Sequence, residues 1–370
     1  MTGDGGESPG GGGDVTGDSE ESPGGGEGGL AADTDAFRRY LRAKRTVDDR
    51  ALDRRLVGRL REQIADRAAT TEGPLRVLEV GAGIGTMIAR LIDWAVLPPG
   101  ETRYVAVDRD AGALAGVAPF LREWAADRDA SVSVTAASER DDDSEPDALV
   151  VETDARTVTV EPVVADAVAY ASESAGEWDA LIGMALLDVL GLDGLEPLLD
   201  GLAPGGSFYF PITFDGGTRF RPSHPADREI EGYYHAHMDA KAGGSSRAGG
   251  DALARIRAIE GASLLGVAGS DWVVRPVESA ESGRRAGPDS AYPGDEAFFL
   301  RHILDTVEEA VGEVIDGTVG MSLEDGESSP EDPSVALDAW LDDRRRRVDD
   351  GELVYLTHQL DLLGHVDGDP

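Results

Sequence analysis

Apolar residues in this chain form two kinds of pattern, short dense runs and longer stretches with helical spacing. The run Leu75–Val80 is apolar except at Arg76 and Glu79, and Arg103–Val107 is apolar after its first residue, which predicts two buried β-strands. Helical spacing precedes them at Val47, Leu52 and Leu56. Strands that alternate with helices predict a parallel sheet covered by helices on both faces.

The same alternation continues toward the C-terminus. Further strands are predicted at 132–135, 157–164, 179–184, 207–213, 263–274 and 352–362, and helices at 296–315 and 335–348. The sequence therefore predicts an α/β fold whose sheet runs through most of the chain.

Residues 1–32 differ in composition from the rest. They are rich in Gly and Asp, and Thr2–Gly12 is nearly repeated at Thr16–Gly26. Such a segment buries too little apolar surface to offset its ordering entropy, so we expect a disordered tail. Helical structure is expected from Asp33 or Thr34 onward, and residues 33–370 are expected to form one domain. Within it, we expect leading helices at 33–72, a lid-like insertion at 215–250 and a helical insertion at 276–350 before the last strand.

The charge is strongly acidic. The chain has 72 Asp and Glu residues against 34 Lys and Arg, a net charge of −38, and its only lysines are Lys44 and Lys241. This composition is typical of proteins from salt-accumulating organisms, where short Debye lengths screen the repulsion. It disfavours nucleic-acid partners, because no basic stripe could neutralise phosphates. The run Arg344–Arg347 is flanked by aspartates, which favours a self-compensated helix surface.

Several classes of protein are excluded by what the sequence lacks. It contains no Cys, which excludes disulfides, thiolate metal sites and cysteine nucleophiles. No apolar run is long enough to cross a membrane, and the N-terminus does not resemble a signal peptide. We therefore expect a cytoplasmic protein with no membrane partner.

Three glycines at alternate positions directly follow the first buried strand. Gly81, Gly83 and Gly85 indicate a tight turn into a helix, where a ligand can approach the backbone and the free amides of the helix. Glu79 lies at the end of the strand, and Asp108 ends the second strand 29 residues later. A carboxylate in that position can accept hydrogen bonds from both ribose hydroxyls of a nucleoside.

The spacing identifies the kind of nucleoside site. A dinucleotide site would require a third glycine at position 86, which is Thr86. The pattern from Glu79 to Gly85 instead resembles the first motif of class I S-adenosylmethionine-dependent methyltransferases. Asp166-Ala167, Trp178–Ile182 and Leu202–Ser207 resemble later elements of the same family.

This resemblance covers residues 75–215 and implies a Rossmann-like, seven-stranded, mostly parallel sheet with an antiparallel last strand. It also implies S-adenosyl-L-methionine as cofactor. The implied cofactor-binding residues are Glu79, Gly81, Ala82, Gly83, Gly85, Asp108, Arg109, Asp166, Ala167 and Met184.

Beyond residue 215 the chain resembles a less characterised group of small-molecule methyltransferases. The stretches that carry this resemblance are 185–188, 214–216, 234–239, 270–274 and 354–361. Met184–Leu187 stands where enzymes that methylate nucleobase amines carry an Asp/Asn-Pro-Pro-aromatic cluster, and C5-pyrimidine and radical methylation need cysteines. The acceptors that remain are hydroxyl, carboxylate, amine or activated-carbon groups of small or medium molecules.

Candidate catalytic residues follow the strands whose carboxyl ends form the ligand crevice. Asp188 and Asp215 follow the fourth and fifth strands, and His235 lies in the lid-like insertion. Any of them could deprotonate an acceptor. Asp188 could equally be a carboxylate at a helix N-terminus, and Asp215 could belong to an ordinary turn.

The histidines could also serve other purposes. His235 and His237 could be strand residues or, with Asp239, metal ligands; a single His-x-His makes a metal site the weaker interpretation, and we predict none. For His358 an ordinary sheet position is favoured. Lys44, Arg45 and the charged residues 48–50 lie between the two leading helices, which the resemblance places over the cofactor pocket; a solvated helix surface is favoured for them over a role in that pocket.

The sequence thus predicts methyl transfer from S-adenosylmethionine to a small-molecule substrate. The alternatives are an NAD-dependent oxidoreductase, a protein methyltransferase, and a non-catalytic cofactor-binding protein of the same fold. Thr86 disfavours the oxidoreductase, and we expect no catalytic Tyr-x-x-x-Lys pair of the kind that such enzymes use.

Overall fold

A computed structural model describes residues 27–135, 148–277, 291–317 and 333–368. The N-terminal half contains, in order, α1 (Glu27–Ala51), α2 (Arg54–Thr70), β1 (Leu75–Val80), α3 (Thr86–Asp93), β2 (Gly100–Asp108), α4 (Ala111–Leu114), α5 (Val117–Ala126), β3 (Ala130–Thr135), β4 (Ala148–Thr153) and β5 (Arg156–Val164).

The remainder contains α6 (Ala167–Glu173), β6 (Trp178–Ile182), α7 (Leu187–Leu190), α8 (Leu195–Asp200), β7 (Leu202–Arg221), α9 (Asp227–Ala240), α10 (Ala248–Ala258), β8 (Ala262–Gly269), β9 (Trp272–Val274), α11 (Glu296–Ile315), α12 (Pro333–Asp349) and β10 (Val354–Val366).

The strands of the described ranges form one sheet in the order β3-β4-β5-β2-β1-β6-β7-β10-β8, and β9 pairs with β10. The five central strands, from β5 to β7, are parallel, and β10 lies antiparallel between β7 and β8. The chain order reverses between β1 and β6, and the crevice at such a switch point is where open α/β sheets bind ligands. The predicted Rossmann-like fold with a last antiparallel strand is confirmed.

Helices cover both faces of the sheet. Val77 of β1 packs into the apolar core that includes residues of α1, α2, α3, α5, α11 and α12. Its neighbour Leu78 points to the opposite face, into the core with residues of α6, α7, α8 and α10. Successive residues of a strand point to opposite faces, so adjacent apolar residues such as Val77 and Leu78 are expected in a sheet that is buried on both sides.

The observed sheet has ten strands among the described residues, whereas the predicted sheet has seven. β4 pairs antiparallel with β3 and β5 at one edge, and its apolar positions were not recognised as a strand. The predicted strand 263–274 is two strands, β8 and β9, which both pair with β10. β7 continues beyond Thr213 to Arg221 because β10 pairs along it, so the predicted lid 215–250 begins as strand and continues as α9 and α10. The loop expected at 138–147 lies outside the described residues.

The two leading helices divide at a different residue than expected. Val47 belongs to α1 rather than to the second helix, and the break falls before Asp53, whose carboxylate accepts from the amides of Arg55 and Leu56 at the start of α2. α1 begins at Glu27, ahead of the expected start at Asp33 or Thr34. The tail expected to be disordered lies, up to residue 26, outside the described residues.

The arginine run lies on α12. Arg345, Arg346 and Arg347 pair with carboxylates, as a self-compensated surface requires. Arg344 differs, because it is fully buried and pairs with Asp227 of α9. This residue of the run therefore also stabilises the packing of α12 against α9. Across the described ranges, the helices are all too short or too polar to span a bilayer.

Candidate cofactor and acceptor site

The glycine loop connects β1 to α3 in a backbone conformation that side chains resist. Gly81 and Gly83 have φ of +69° and +56°, in the left-handed region. A Cβ added to either would also lie 3.1 Å from a leucine methyl group, of Leu186 or Leu41 respectively. Gly85, likewise at positive φ, is the N-cap residue of α3. The loop therefore requires glycine and leaves its backbone open to a ligand.

Asp108 is fixed by the backbone at the end of β2. Its Oδ2 accepts from the amide of Gly83 at 2.8 Å, and its Oδ1 accepts from the amide of Asp110 at 2.9 Å. The main chain also joins the two strand ends, because the amide of Ala82 donates to the carbonyl of Val107. The carboxylate is thus oriented beside the glycine loop before any ligand arrives.

Glu79 is the buried acid of the site. It is 1% exposed and accepts a hydrogen bond from the hydroxyl of Tyr104 at 2.7 Å. Burial raises the pKa of its carboxyl group to about 8, although Tyr104 and Arg90 favour the charged form. Glu79 is therefore largely protonated at neutral pH and can donate as well as accept.

A cavity of about 530 Å³ opens from the glycine loop across the carboxyl ends of the central strands. This volume lies within the range typical of small-molecule sites. The candidate residues that line it are Glu79, Gly81, Ala82, Gly83, Asp108, Arg109, Asp166, Ala167, Met184 and Asp188.

Three sequence candidates do not line this cavity. Gly85 lies behind the loop as the N-cap of α3. Asp215 accepts from the amide of Gly250 and lies 3.8 Å from Nε2 of His358, outside the cavity wall. His235 contacts Thr218 and the edge of the Phe214 ring. The structure thus separates Asp215 and His235 from Asp188.

The histidines of the lid region lie on helix α9, not on a strand. His237 pairs with Glu313 of α11 at 2.8 Å, and Asp239 accepts from Ser246. His235 does not share these partners. Among the described residues, no group of three or more His, Asp or Glu side chains could hold a metal ion. His358 pairs with Asp271 on the adjoining edge of the sheet.

The cavity has two chemically different halves. The ends of β5, β2 and β1 lie on one side of the switch point in the sheet, and β6, β7 and β10 lie on the other. We call the side with the glycine loop the cofactor half and the side with Asp188 and the residues of β7 and β10 the acceptor half, after the ligands proposed below. The cavity's six aromatic side chains are Phe37, Tyr40, Phe214, Tyr234, Trp272 and Tyr355.

The expectation that Lys44 lies on a solvated helix surface is wrong, because its side chain is buried. Lys44 and Asp48 of α1 are 6% and 1% exposed, and their ammonium and carboxylate groups lie 3.0 Å apart. Asp48 also accepts from the fully buried Arg90 of α3 at 3.2 Å and from the Trp272 indole at 3.0 Å. We call Lys44, Asp48 and Arg90 the buried charge cluster. It holds α1 against α3 and leaves Lys44 on the cavity wall.

Two residues of the cavity wall adopt a backbone conformation unusual for side chains. Ala185 and Ile212 have φ of +51° and +58°, and both follow or lie in strands whose ends form the crevice. The conformation of Ile212 is costly for a β-branched residue. The carboxylate of Asp361 accepts from the amide of Ile212 at 3.0 Å and holds it in place. Such strain is found most often at functional sites.

Residue-by-residue reasoning missed most of the acceptor half. The local pattern around Tyr40 indicates only an apolar helix, and it indicates no role for four further residues of the cavity wall, Tyr234, Trp272, Tyr355 and Gln359. A signal was present, however. The stretches 185–188, 214–216, 234–239, 270–274 and 354–361, which carried the second resemblance, each contribute at least one residue to the cavity wall.

No protein-family model matches the chain, and no curated protein sequence matches it. Solved structures do resemble it. One is phosphoethanolamine N-methyltransferase 2 of Haemonchus contortus, bound to phosphomonomethylethanolamine and S-adenosylhomocysteine, at 11% identity and a TM-score of 0.34 over 84% of this chain and 53% of that one. The chain thus spans about half the length of that enzyme.

Two further structures are similar at the same level. Geranyl diphosphate C-methyltransferase from Streptomyces coelicolor is 12% identical, with a TM-score of 0.33 over 83% of this chain and 74% of that one. The E. coli protein YjhP is 14% identical, with a TM-score of 0.32 over 82% and 91%. At this level the likeness concerns the arrangement of strands and helices, and the function has to be inferred from the site itself.

Proposed function

We propose that this chain is a class I S-adenosylmethionine-dependent methyltransferase that acts on a small molecule. The observation that carries the proposal is the Asp108 carboxylate, which two backbone amides hold beside the glycine loop at the switch point of the sheet. The same cavity continues into a half lined by aromatic rings, which suits a second, smaller molecule. A cavity of about 530 Å³ that is lined by aromatic rings has the size of a small-molecule site, which favours a small-molecule acceptor over a protein.

The residues present fit S-adenosylmethionine. Asp108 would accept from the ribose hydroxyls, Asp166 and Ala167 would meet the adenine, and the left-handed glycines would let the ligand approach the loop. When bound, the cofactor supplies a methyl group that its sulfonium charge already activates. The chain's own contribution is then to hold donor and acceptor in line and to exclude water. Glu79, being protonated, adds a buried hydrogen-bond donor to the cofactor half.

An NAD-dependent oxidoreductase is the competing proposal, and one feature of the structure bears on it. The expectation that no Tyr-x-x-x-Lys pair is present was wrong, because Tyr40 and Lys44 have this spacing and both line the cavity. A tyrosine that exchanges protons with a substrate needs a pKa lowered toward neutral pH. Burial and the carboxylates of Asp48 and Asp188 instead raise the pKa of Tyr40 far above its usual value. The pair therefore does not favour oxidoreductase chemistry.

Calorimetry on the full chain at molar salt tests the proposal. S-adenosylhomocysteine should bind with micromolar affinity, and NAD should not bind. Asp108→Ala should lose one or two charge-assisted hydrogen bonds, at roughly 1.5–3 kcal/mol each. Asp66→Asn, which changes an exposed carboxylate on α2, serves as the matched control and should bind normally. Binding of NAD alone, or unchanged affinity in Asp108→Ala, would overturn the assignment.

A further inference from the structure

Two residues that line the acceptor half each carry a buried oxygen atom that has no hydrogen-bond partner among the described residues. The two atoms are Oδ1 of Asp188 and Oε1 of Gln359. Leaving such an acceptor unsatisfied costs about 1–3 kcal/mol, so native structures usually supply a partner. Gln359 is 3% exposed, and its amide nitrogen is already occupied, since it donates to Oγ1 of Thr357 at 3.1 Å. Both side chains therefore call for a hydrogen-bond donor that the protein does not provide.

The other residues of the acceptor half restrict the shape of a molecule that could supply such a donor. Tyr40, Tyr234, Trp272 and Tyr355 present aromatic surface there. Aromatic rings pack well against other flat rings, in offset or edge-to-face arrangements. The acceptor half thus suits a flat, largely apolar molecule with polar groups at the positions of Asp188 and Gln359.

The charged residues of the cavity wall restrict the charge of this molecule. Of the described residues that line this cavity, only Lys44 and Arg109 are cationic, and Arg109 lies in the cofactor half. The ammonium of Lys44 is already paired with Asp48 at 3.0 Å. A phosphate group, with three acceptor oxygens and up to two charges, would find no clamp of the kind it needs. A neutral hydroxyl donor needs no such clamp, and it can donate directly to the oxygens of Asp188 and Gln359.

We propose that the methyl acceptor is a neutral phenolic compound with two hydroxyl groups, one donating to Asp188 and the other to Gln359. This rests on the proposed function and names its substrate class. As the acceptor oxygen bonds to the methyl carbon, the carbon–sulfur bond breaks and its electron pair stays on sulfur. The O–H bond breaks in the same step, and its proton passes to the carboxylate of Asp188. Asp188 later releases that proton to water, which balances the reaction.

The environment of Asp188 suits this task. Burial raises the pKa of its carboxyl group to about 6, while Lys44 opposes the shift. Asp188 is then ionised at neutral pH but binds a proton more readily than an exposed aspartate, as efficient general bases do. Tyr234 and Tyr40, on α9 and α1, also face this carboxylate, and both are neutral, because burial and Asp188 raise the pKa of each.

Saturation-transfer NMR titrations of the full chain, saturated with S-adenosylhomocysteine, test this inference with three probes. Catechol supplies two donors, 1,2-dimethoxybenzene has the same skeleton without donors, and phenyl phosphate carries charge. Catechol should bind at least tenfold more tightly than the other two. Asp188→Asn and Gln359→Leu should each weaken catechol binding at least fivefold while S-adenosylhomocysteine affinity, which reports folding, stays unchanged. Asp251→Asn, at an exposed position of α10, is the control and should behave as wild type.

A turnover measurement complements the titrations. With S-adenosylmethionine, the wild-type chain should convert catechol to its monomethyl ether, and Asp188→Asn should do so at least a hundredfold more slowly. If S-adenosylhomocysteine binds but catechol binds no better than its dimethyl ether, the acceptor class is wrong and the proposed cofactor stands. Tighter binding of phenyl phosphate overturns the acceptor class in the same way. If S-adenosylhomocysteine itself fails to bind, the proposed function fails first.

Discussion

Replacing the buried acid Glu79 by glutamine should make the protein more stable, by an amount that depends on pH. Glu79 is 1% exposed, and burial raises the pKa of its carboxyl group from its usual 4.5 to about 8. Glutamine has nearly the same shape, and its carbonyl oxygen can keep the 2.7 Å hydrogen bond from the Tyr104 hydroxyl. It differs in having no proton to take up.

The size of the effect follows from the two pKa values. Between pH 4.5 and 8 the folded state holds a proton on Glu79 that the unfolded chain has lost. Stability therefore falls as pH rises through this window, because the folded state binds more protons than the unfolded state. At 1.36 kcal/mol per pKa unit, the loss from pH 5 to pH 7.5 amounts to about 3 kcal/mol. The Glu79→Gln variant should not show this loss of stability, because glutamine does not titrate.

Urea unfolding followed by circular dichroism, in molar salt at pH 5 and pH 7.5, measures this difference. The stability advantage of Glu79→Gln over wild type should grow by about 3 kcal/mol between the two pH values. Glu62→Gln, at an exposed position of α2, is the matched control and should show no such growth. An equal advantage at both pH values would refute the reasoning, since it would mean that Glu79 is already ionised in the folded state.

Two further predictions concern the other charges. Asp48→Ala leaves Lys44 and Arg90 buried without the carboxylate that they share. In urea titrations the free energy of unfolding should fall by about 3–5 kcal/mol. A loss below about 1 kcal/mol would contradict the role of the buried charge cluster. If the net charge of −38 is a salt adaptation, the melting temperature should climb from 0.1 to 1 M NaCl or KCl, as the Debye length falls from about 10 to 3 Å. A melting temperature that is flat up to 2 M chloride would reject that interpretation.

The fold and the loop could be predicted because their signals are local. The run Leu75–Val80 and the glycines after it specify a strand, a turn and a helix within a few residues, whatever the rest of the chain does. The arrangement of the strands in the sheet, in contrast, was implied by the resemblance to class I methyltransferases, whereas the helical pattern predicts α11 with its bounds at Glu296 and Ile315.

The remaining strands depend on pairing between distant segments. β7 extends to Arg221 because Val354, over a hundred residues later, pairs with it. β4 contains the polar residues Glu152 and Thr153, and its strand identity comes from neighbours on both sides. Periodicity within a short window carries no information about such partners.

The acceptor half could not be predicted from the sequence for the same physical reason, because its residues are brought together from distant segments. Lys44 looks like a surface residue until Asp48, Trp272 and Arg90, from three elements, surround it. Likewise, nothing within the last strand marks Gln359 as a buried amide with a free oxygen. Residues near one another along the chain identified the cofactor half, whereas the acceptor half is assembled by the fold.

The most direct test of the central claim is a crystal structure of the full chain with S-adenosylhomocysteine. We expect both ribose hydroxyls to donate to the carboxylate of Asp108, the adenine to lie against Asp166 and Ala167, and the sulfur to face the aromatic acceptor half. A nucleoside bound away from Asp108, or a glycine loop that stays empty at saturating ligand concentration, would contradict the account.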